Sequence, residues 1–158
     1  MNEEEDRVVE AADRLEDIGD LDGAIEVFVS FLNTVSVPRL HALLGRLYYL
    51  KQEYCRAIEQ FSTALAVKPD AATTLFFRGQ ALAMSGKLET AIQDFNAVLR
   101  LQPAAADAYR EIGYIREFQK RLAEAREAYE KARTLDPAMS DELDERITDL
   151  DARLREGG

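Results

Sequence analysis

The 158-residue sequence predicts an all-α fold, a solenoid of about four αα-hairpins finished by one further helix. Three observations predict it. Gly45, Gly79 and Gly113 return every 34 residues, and so do Ala57, Ala91 and Ala125, then Phe61, Phe95 and Tyr129, then Pro69, Pro103 and Pro137. Each period holds two stretches of helical spacing separated by a short polar turn, which makes the repeating unit a helix pair. Composition supplies the core: 47% of residues are hydrophobic, and 8 Gly with 4 Pro leave no room for a linker, so residues 1–158 read as a single domain.

The first copy, over residues 5–37, is degenerate, because Ala12, Ala24 and Phe28 stand 33 residues before Gly45, Ala57 and Phe61 and its closing proline is missing. Regular copies follow over 38–71, 72–105 and 106–139. In their second helices Ile58, Phe61 and Leu65 recur as Ile92, Phe95 and Leu99, spaced i, i+3, i+7, which lines them along one side that must be buried. Lys68-Pro69, Gln102-Pro103 and Asp136-Pro137 are matching stops, since proline lacks an amide hydrogen and restricts the residue before it. The glycines are expected where a small residue of the first helix meets a small residue of the second, the ring packing alongside. Arg78 stands at a leucine position, where its stem would cover apolar surface and its head reach solvent. In the last copy Arg116 replaces a tyrosine-type residue, and Arg126 and Arg133 replace Ile92 and Leu99, the polar face of an end repeat. Ser140 is the expected N-cap of a closing amphipathic helix over 140–156, with Leu143, Ile147, Leu150 and Leu154 on its apolar side.

Charge and chemistry narrow the function. Residues 1 to 22 hold ten carboxylates against Arg7 and Arg14, which is −8 of the net −10. Such an acidic end could steer a basic segment or simply be solvated. With a pI of 4.7 and scattered Lys and Arg, nucleic acid is a poor partner. One histidine and one cysteine assemble no metal set, and no Gly-rich phosphate loop is present, so no cofactor, metal or catalytic residue is expected. His41 reads as a packing residue and Cys55 as a packed or half-exposed thiol. No apolar run spans a membrane, the acidic start is unlike a signal sequence, and the lone cysteine suits a reducing compartment, so cytoplasm is the expected location.

The blocks resemble tetratricopeptide repeats, whose pattern of a large residue, Leu-Gly, Tyr, Ala, Phe, Ala and Pro is met by His41, Leu44-Gly45, Tyr48, Ala57, Phe61, Ala64 and Pro69. The next copy offers Leu75, Gly79, Leu82, Ala91, Phe95, Val98 and Pro103, and the last Tyr109, Ile112-Gly113, Ala125, Tyr129, Ala132 and Pro137. The resemblance implies a right-handed superhelix whose first helices line a concave, ligand-bearing groove.

At 100° per residue, positions 2, 5, 6, 9, 12 and 13 of each first helix cluster on that side. They are Arg39, Ala42, Leu43, Arg46, Tyr49 and Leu50, then Thr73, Phe76, Phe77, Gln80, Ala83 and Met84, then Asp107, Arg110, Glu111, Tyr114, Glu117 and Phe118. Ten of the eighteen are apolar or aromatic, more than a solvated face requires, although positions 6, 12 and 13 would in part pack against neighbouring repeats. In the first copy the same positions are Asp6, Val9, Glu10, Asp13, Glu16 and Asp17, an acidic end.

Tetratricopeptide co-chaperones that clamp a partner's terminal carboxylate use Lys, Asn and Arg at set first-helix positions. Here those positions hold Val9, Asp13, Leu43, Thr73 and Phe77 in one register, and Ala42, Arg46, Phe77, Asp107 and Glu111 in the next, so neither can clamp. The implied function is a non-enzymatic adaptor or chaperone that takes an apolar peptide or amphipathic helix of another protein, with Tyr49, Phe76 and Phe77 as anchors and Arg39, Arg46 and Arg110 at the rim. Size, acidity and groove character are also similar to the three-repeat chaperones of type III secretion translocators. Self-assembly through the terminal helix into a homo-oligomer is the alternative.

Overall fold

In the computed structural model residues 3–156 are described, and they form nine α-helices and one short 3-10 turn with no strand among them. They divide after Gly86 into two compact units. The first unit holds α1 (Glu3–Asp17), α2 (Leu21–Leu32), α3 (Pro38–Leu50), α4 (Tyr54–Val67) and α5 (Ala72–Met84). In the second unit are α6 (Leu88–Leu101), α7 (Ala106–Phe118), α8 (Leu122–Leu135), the 3-10 turn Pro137–Met139 and α9 (Ser140–Glu156). The period survives in the helix bounds: α3, α5 and α7 are each 13 residues and begin 34 apart, and α4, α6 and α8 are each 14 and do the same.

Turn chemistry keeps the same beat. Gly19, Gln52, Gly86 and Lys120 are the residues with left-handed backbone, at φ 81°, 61°, 82° and 62°, and each follows a first helix. Behind three of them the chain closes a six-to-one hydrogen bond, Asp20 N–H to Leu15 at 2.8 Å, Glu53 N–H to Tyr48 at 2.9 Å and Arg121 N–H to Arg116 at 2.9 Å, which satisfies the orphan carbonyls of the helix end. Gln52 and Lys120 hold that conformation at roughly 1 kcal/mol each, a strain that glycine avoids at Gly19 and Gly86.

In the first unit α1 packs on α2, α2 on α3, α3 on α4 and α4 on α5. Ala12, Ala24, Phe28, Leu40, Leu44, Leu47, Ala57 and Phe61 form its core. The small residues matter here in a way the spacing did not reveal. A Cβ built on Gly45 would lie 2.8 Å from the Phe61 ring, so the glycine faces the aromatic directly. Gly113 stands in the same relation to Tyr129 in the second unit.

There α6 packs on α7, α7 on α8 and α8 on α9, around Ala125, Tyr129, Ala132, Leu143, Ile147 and Leu150. Leu154, expected on the apolar side of the last helix, is exposed. Ser140 is not an N-cap: its backbone is already helical, because the 3-10 turn runs into α9 without a break. Asp136 caps that turn instead, accepting from Ala138 N–H at 3.0 Å. Arg126 and Arg133 are not simply solvated either. They form ion pairs with Asp151 and Asp144 of α9, so the polar end face is matched by the helix that covers it.

Candidate functional site

The first-helix face of the first unit contains a cleft of about 370 Å³ between α3 and α5. Its α3 wall is Arg39, Ala42, Leu43 and Arg46, its α5 wall Thr73, Thr74 and Phe77, and its floor Phe61 and Ala64 of α4. Six of the residues expected on this face therefore converge on one hollow. Pro38, Lys68 and Ala71 close one end. The volume is at the lower end of ligand pockets, enough for one or two large apolar side chains.

Local sequence explains the opening. Alanine at 42 and 64 and threonine at 73 and 74 are too short to fill the space between two helices that the aromatic residues hold apart. Phe77 stacks on Phe61 at a 6.3 Å ring separation and 13° tilt, and Phe76 meets Phe77 edge-on at 6.0 Å. Leu43, Tyr49 and Phe77 are only partly buried and lean on the core, as a helical position at the border of two faces must. Tyr49 also packs against Tyr54 at 5.7 Å. Leu50 and Met84, at the helix ends, are exposed, and Gln80 is half-buried.

The arginines at the rim are already engaged. Arg46 makes a bidentate pair with Glu16 of α1, at 2.9 and 2.6 Å, and Arg39 reaches Asp6 at 3.3 Å. Sequence reading missed these pairs. The available signal was opposite charge at one position of successive copies, Asp6 against Arg39. Elsewhere, Arg78 reaches the Ser62 hydroxyl at 3.3 Å, and His41 spends its ring nitrogens on Gln60 at 2.8 Å and Ser36 at 3.2 Å. Cys55 is exposed.

In the second unit the corresponding face is engaged by α9. The Tyr114 hydroxyl donates to Glu142, Arg146 lies 4.7 Å over its ring, and Arg146 and Arg153 both reach Glu117, at 3.2 and 3.4 Å. Arg110 pairs with Asp107 at 2.7 Å, leaving its buried Nε without a hydrogen-bond partner. Phe118 is 75% exposed. Buried Tyr129 donates to Glu117 at 2.9 Å.

Burial first, and then the hydrogen bond to Glu142, push the Tyr114 phenol up to about 12. Burial and the bond to Glu117 raise Tyr129 further. A raised phenol means the folded state holds its proton where the unfolded chain, near 10, has lost it, so stability is full below that pH and falls as pH rises toward 12. Alkaline titration followed by phenolate absorbance and circular dichroism is expected to show Tyr114 and Tyr129 ionising late, together with loss of helicity in the second unit. Ionisation of Tyr114 and Tyr129 near 10 with helicity intact would contradict it.

Among the described residues no group of three or more His, Cys, Asp or Glu is placed to hold a metal ion, and no helix is long and apolar enough to cross a membrane.

The tetratricopeptide repeat family model matches residues 43–103 and 85–140, together more than half of the chain. The chain belongs to the tetratricopeptide repeat family. At that level it is a protein-interaction module with an all-α solenoid fold. A peroxisomal targeting signal receptor of Candida glabrata is 34% identical over 79 residues, 49% of this chain, and the chain spans 13% of that receptor's length. Among solved structures, MamA from Desulfovibrio magneticus superimposes with a TM-score of 0.80 at 20% identity, over 99% of this chain and 98% of that one. The first tetratricopeptide domain of Spaghetti (RPAP3), bound to the HSP90 peptide SRMEEVD, gives 0.69 at 22% identity, over 75% and 93% of the two chains.

Proposed function

We propose that the chain is a non-enzymatic adaptor or chaperone whose α3/α5 cleft seats an apolar side chain from a peptide or amphipathic helix of another protein. The observation that carries this reading is the open hollow itself: Ala42, Leu43, Phe61, Ala64 and Phe77 leave apolar surface unfilled between two helices whose rim arginines are held in place by α1. An enzyme would instead bring titratable groups together, whereas the cleft's charged lining is Arg39, Arg46 and Lys68 alone. The RPAP3 domain is known with an acidic HSP90 peptide. This chain has Leu43, Thr73 and Phe77 where such a clamp would need its polar side chains, so the cleft recognises its segment by shape and apolar contact.

Thr73 is exposed at the cleft wall. Thr73→Arg is therefore expected to abolish capture of peptides selected on the wild-type protein from a random display library, while circular dichroism and the melting temperature stay unchanged. Capture that survives Thr73→Arg overturns the assignment.

A further inference from the structure

We infer that the segment seated in this cleft is cationic, an apolar anchor flanked by Lys or Arg that lie over α1. The inference rests on the cleft being the binding site. Asp6 and Glu16, one near each end of α1, reach across to Arg39 and Arg46 on the α3 wall of the cleft. That fixes which flank of α1 borders the cleft.

Asp13 lies between Asp6 and Glu16 both along the helix and around it, about 20° from the first and 60° from the second at 100° per residue, and Asp17 falls about 20° to the other side of Asp6. Both are exposed, and neither has an ion pair or hydrogen bond from its side chain to another described residue. Glu10, on the same flank, meets only the exposed Arg14 at 3.6 Å. The rim arginines are thus neutralised, and the unspent charge beside the α3 wall is negative.

Two ligand charges compete for this surface. An acidic segment would find Lys68 at the far end of the cleft, but to reach Arg46 it would have to displace a bidentate carboxylate already in place. A basic segment breaks nothing: it meets Asp13 and Asp17 with their full charge available. The chain's own balance favours the same sign, since α1 alone carries eight carboxylates against Arg7 and Arg14. A field of that sign raises the encounter rate of a cationic partner and loses its effect as salt is added.

The test is selection of short random peptides by display on wild-type protein, on Thr73→Arg, and on a variant carrying Asp13→Lys with Asp17→Lys. The substituted residues are exposed on the surface of α1, so all three proteins are expected to fold alike. The expected wild-type pool is rich in Lys or Arg beside a bulky apolar residue. Its affinity should drop on the order of tenfold both in the double variant and between low and moderate salt, the scale on which steering acts. Loss of all capture on Thr73→Arg, with a wild-type pool that is neutral or acidic, would overturn the charge inference and leave the cleft reading standing. Capture that survives Thr73→Arg, or a library that yields no enriched peptide, would overturn both. Self-association abolished by Thr73→Arg would place a second copy on the cleft and also overturn the cationic segment.

Discussion

Gly113→Val is expected to destabilise the second unit by about 3 kcal/mol, the upper end for overpacking a filled core. Even a single methyl on Gly113 would stand 2.5 Å from Cδ1 and 3.0 Å from Cζ of Tyr129. The ring cannot step aside. Tyr129 is fully buried, its hydroxyl is tied to Glu117 at 2.9 Å, and Tyr114 packs against it edge-on at 5.6 Å. Gly113→Ala should lose less, because alanine recovers roughly 1 kcal/mol of helix propensity while still forcing the contact. Urea unfolding of the three proteins measures the series. Near-equal stability would mean that α7 and α8 are not held together at this point.

The second large effect is in the first unit. Phe61→Ala is expected to cost about 3–5 kcal/mol, since the ring is buried, faces Gly45 and supports Phe77 by stacking. It should also weaken peptide capture, because Phe61 is the floor of the cleft and Phe77 a wall. The two glycine–ring contacts make a sharper statement through a double-mutant cycle. Gly45→Ala alone puts a Cβ 2.8 Å from the ring and should destabilise. Added to Phe61→Ala it should be neutral or favourable, a coupling of about 1–3 kcal/mol. Additive effects would show that Gly45 is small for some reason other than Phe61.

Much of this architecture was legible because a repeat writes the same physical constraint several times. A glycine that faces a ring, a proline that stops a helix and an i, i+3, i+7 stripe can each arise by chance once; at a common period they define the unit and place its helices. The period placed the ring alongside the glycine but did not say how closely the two approach, because spacing gives only the helix side and not the neighbouring rotamer. Ser140 was misread for a similar reason: serine before an amphipathic run is a cap signal, but the Pro137–Met139 turn delivers a chain that is already helical.

The site was less legible than the fold. Wheel geometry brought Ala42, Leu43, Thr73 and Phe77 to one face, and they share one cleft. It did not show that Arg39 and Arg46 are occupied by α1, which depends on long side chains meeting across 33 and 30 residues. Nor did it show that α9 would engage Tyr114. Positions treated as equivalent by the repeat are made different by what the chain itself places next to them.

Apolar recognition at the α3/α5 cleft is open to amide and methyl chemical-shift mapping with a selected peptide. The largest changes are expected at Ala42, Leu43, Thr73 and Phe77, with smaller ones at Arg39 and Arg46. Changes centred instead on the exposed helix ends at Leu50 and Met84, with the cleft resonances unmoved, would contradict it.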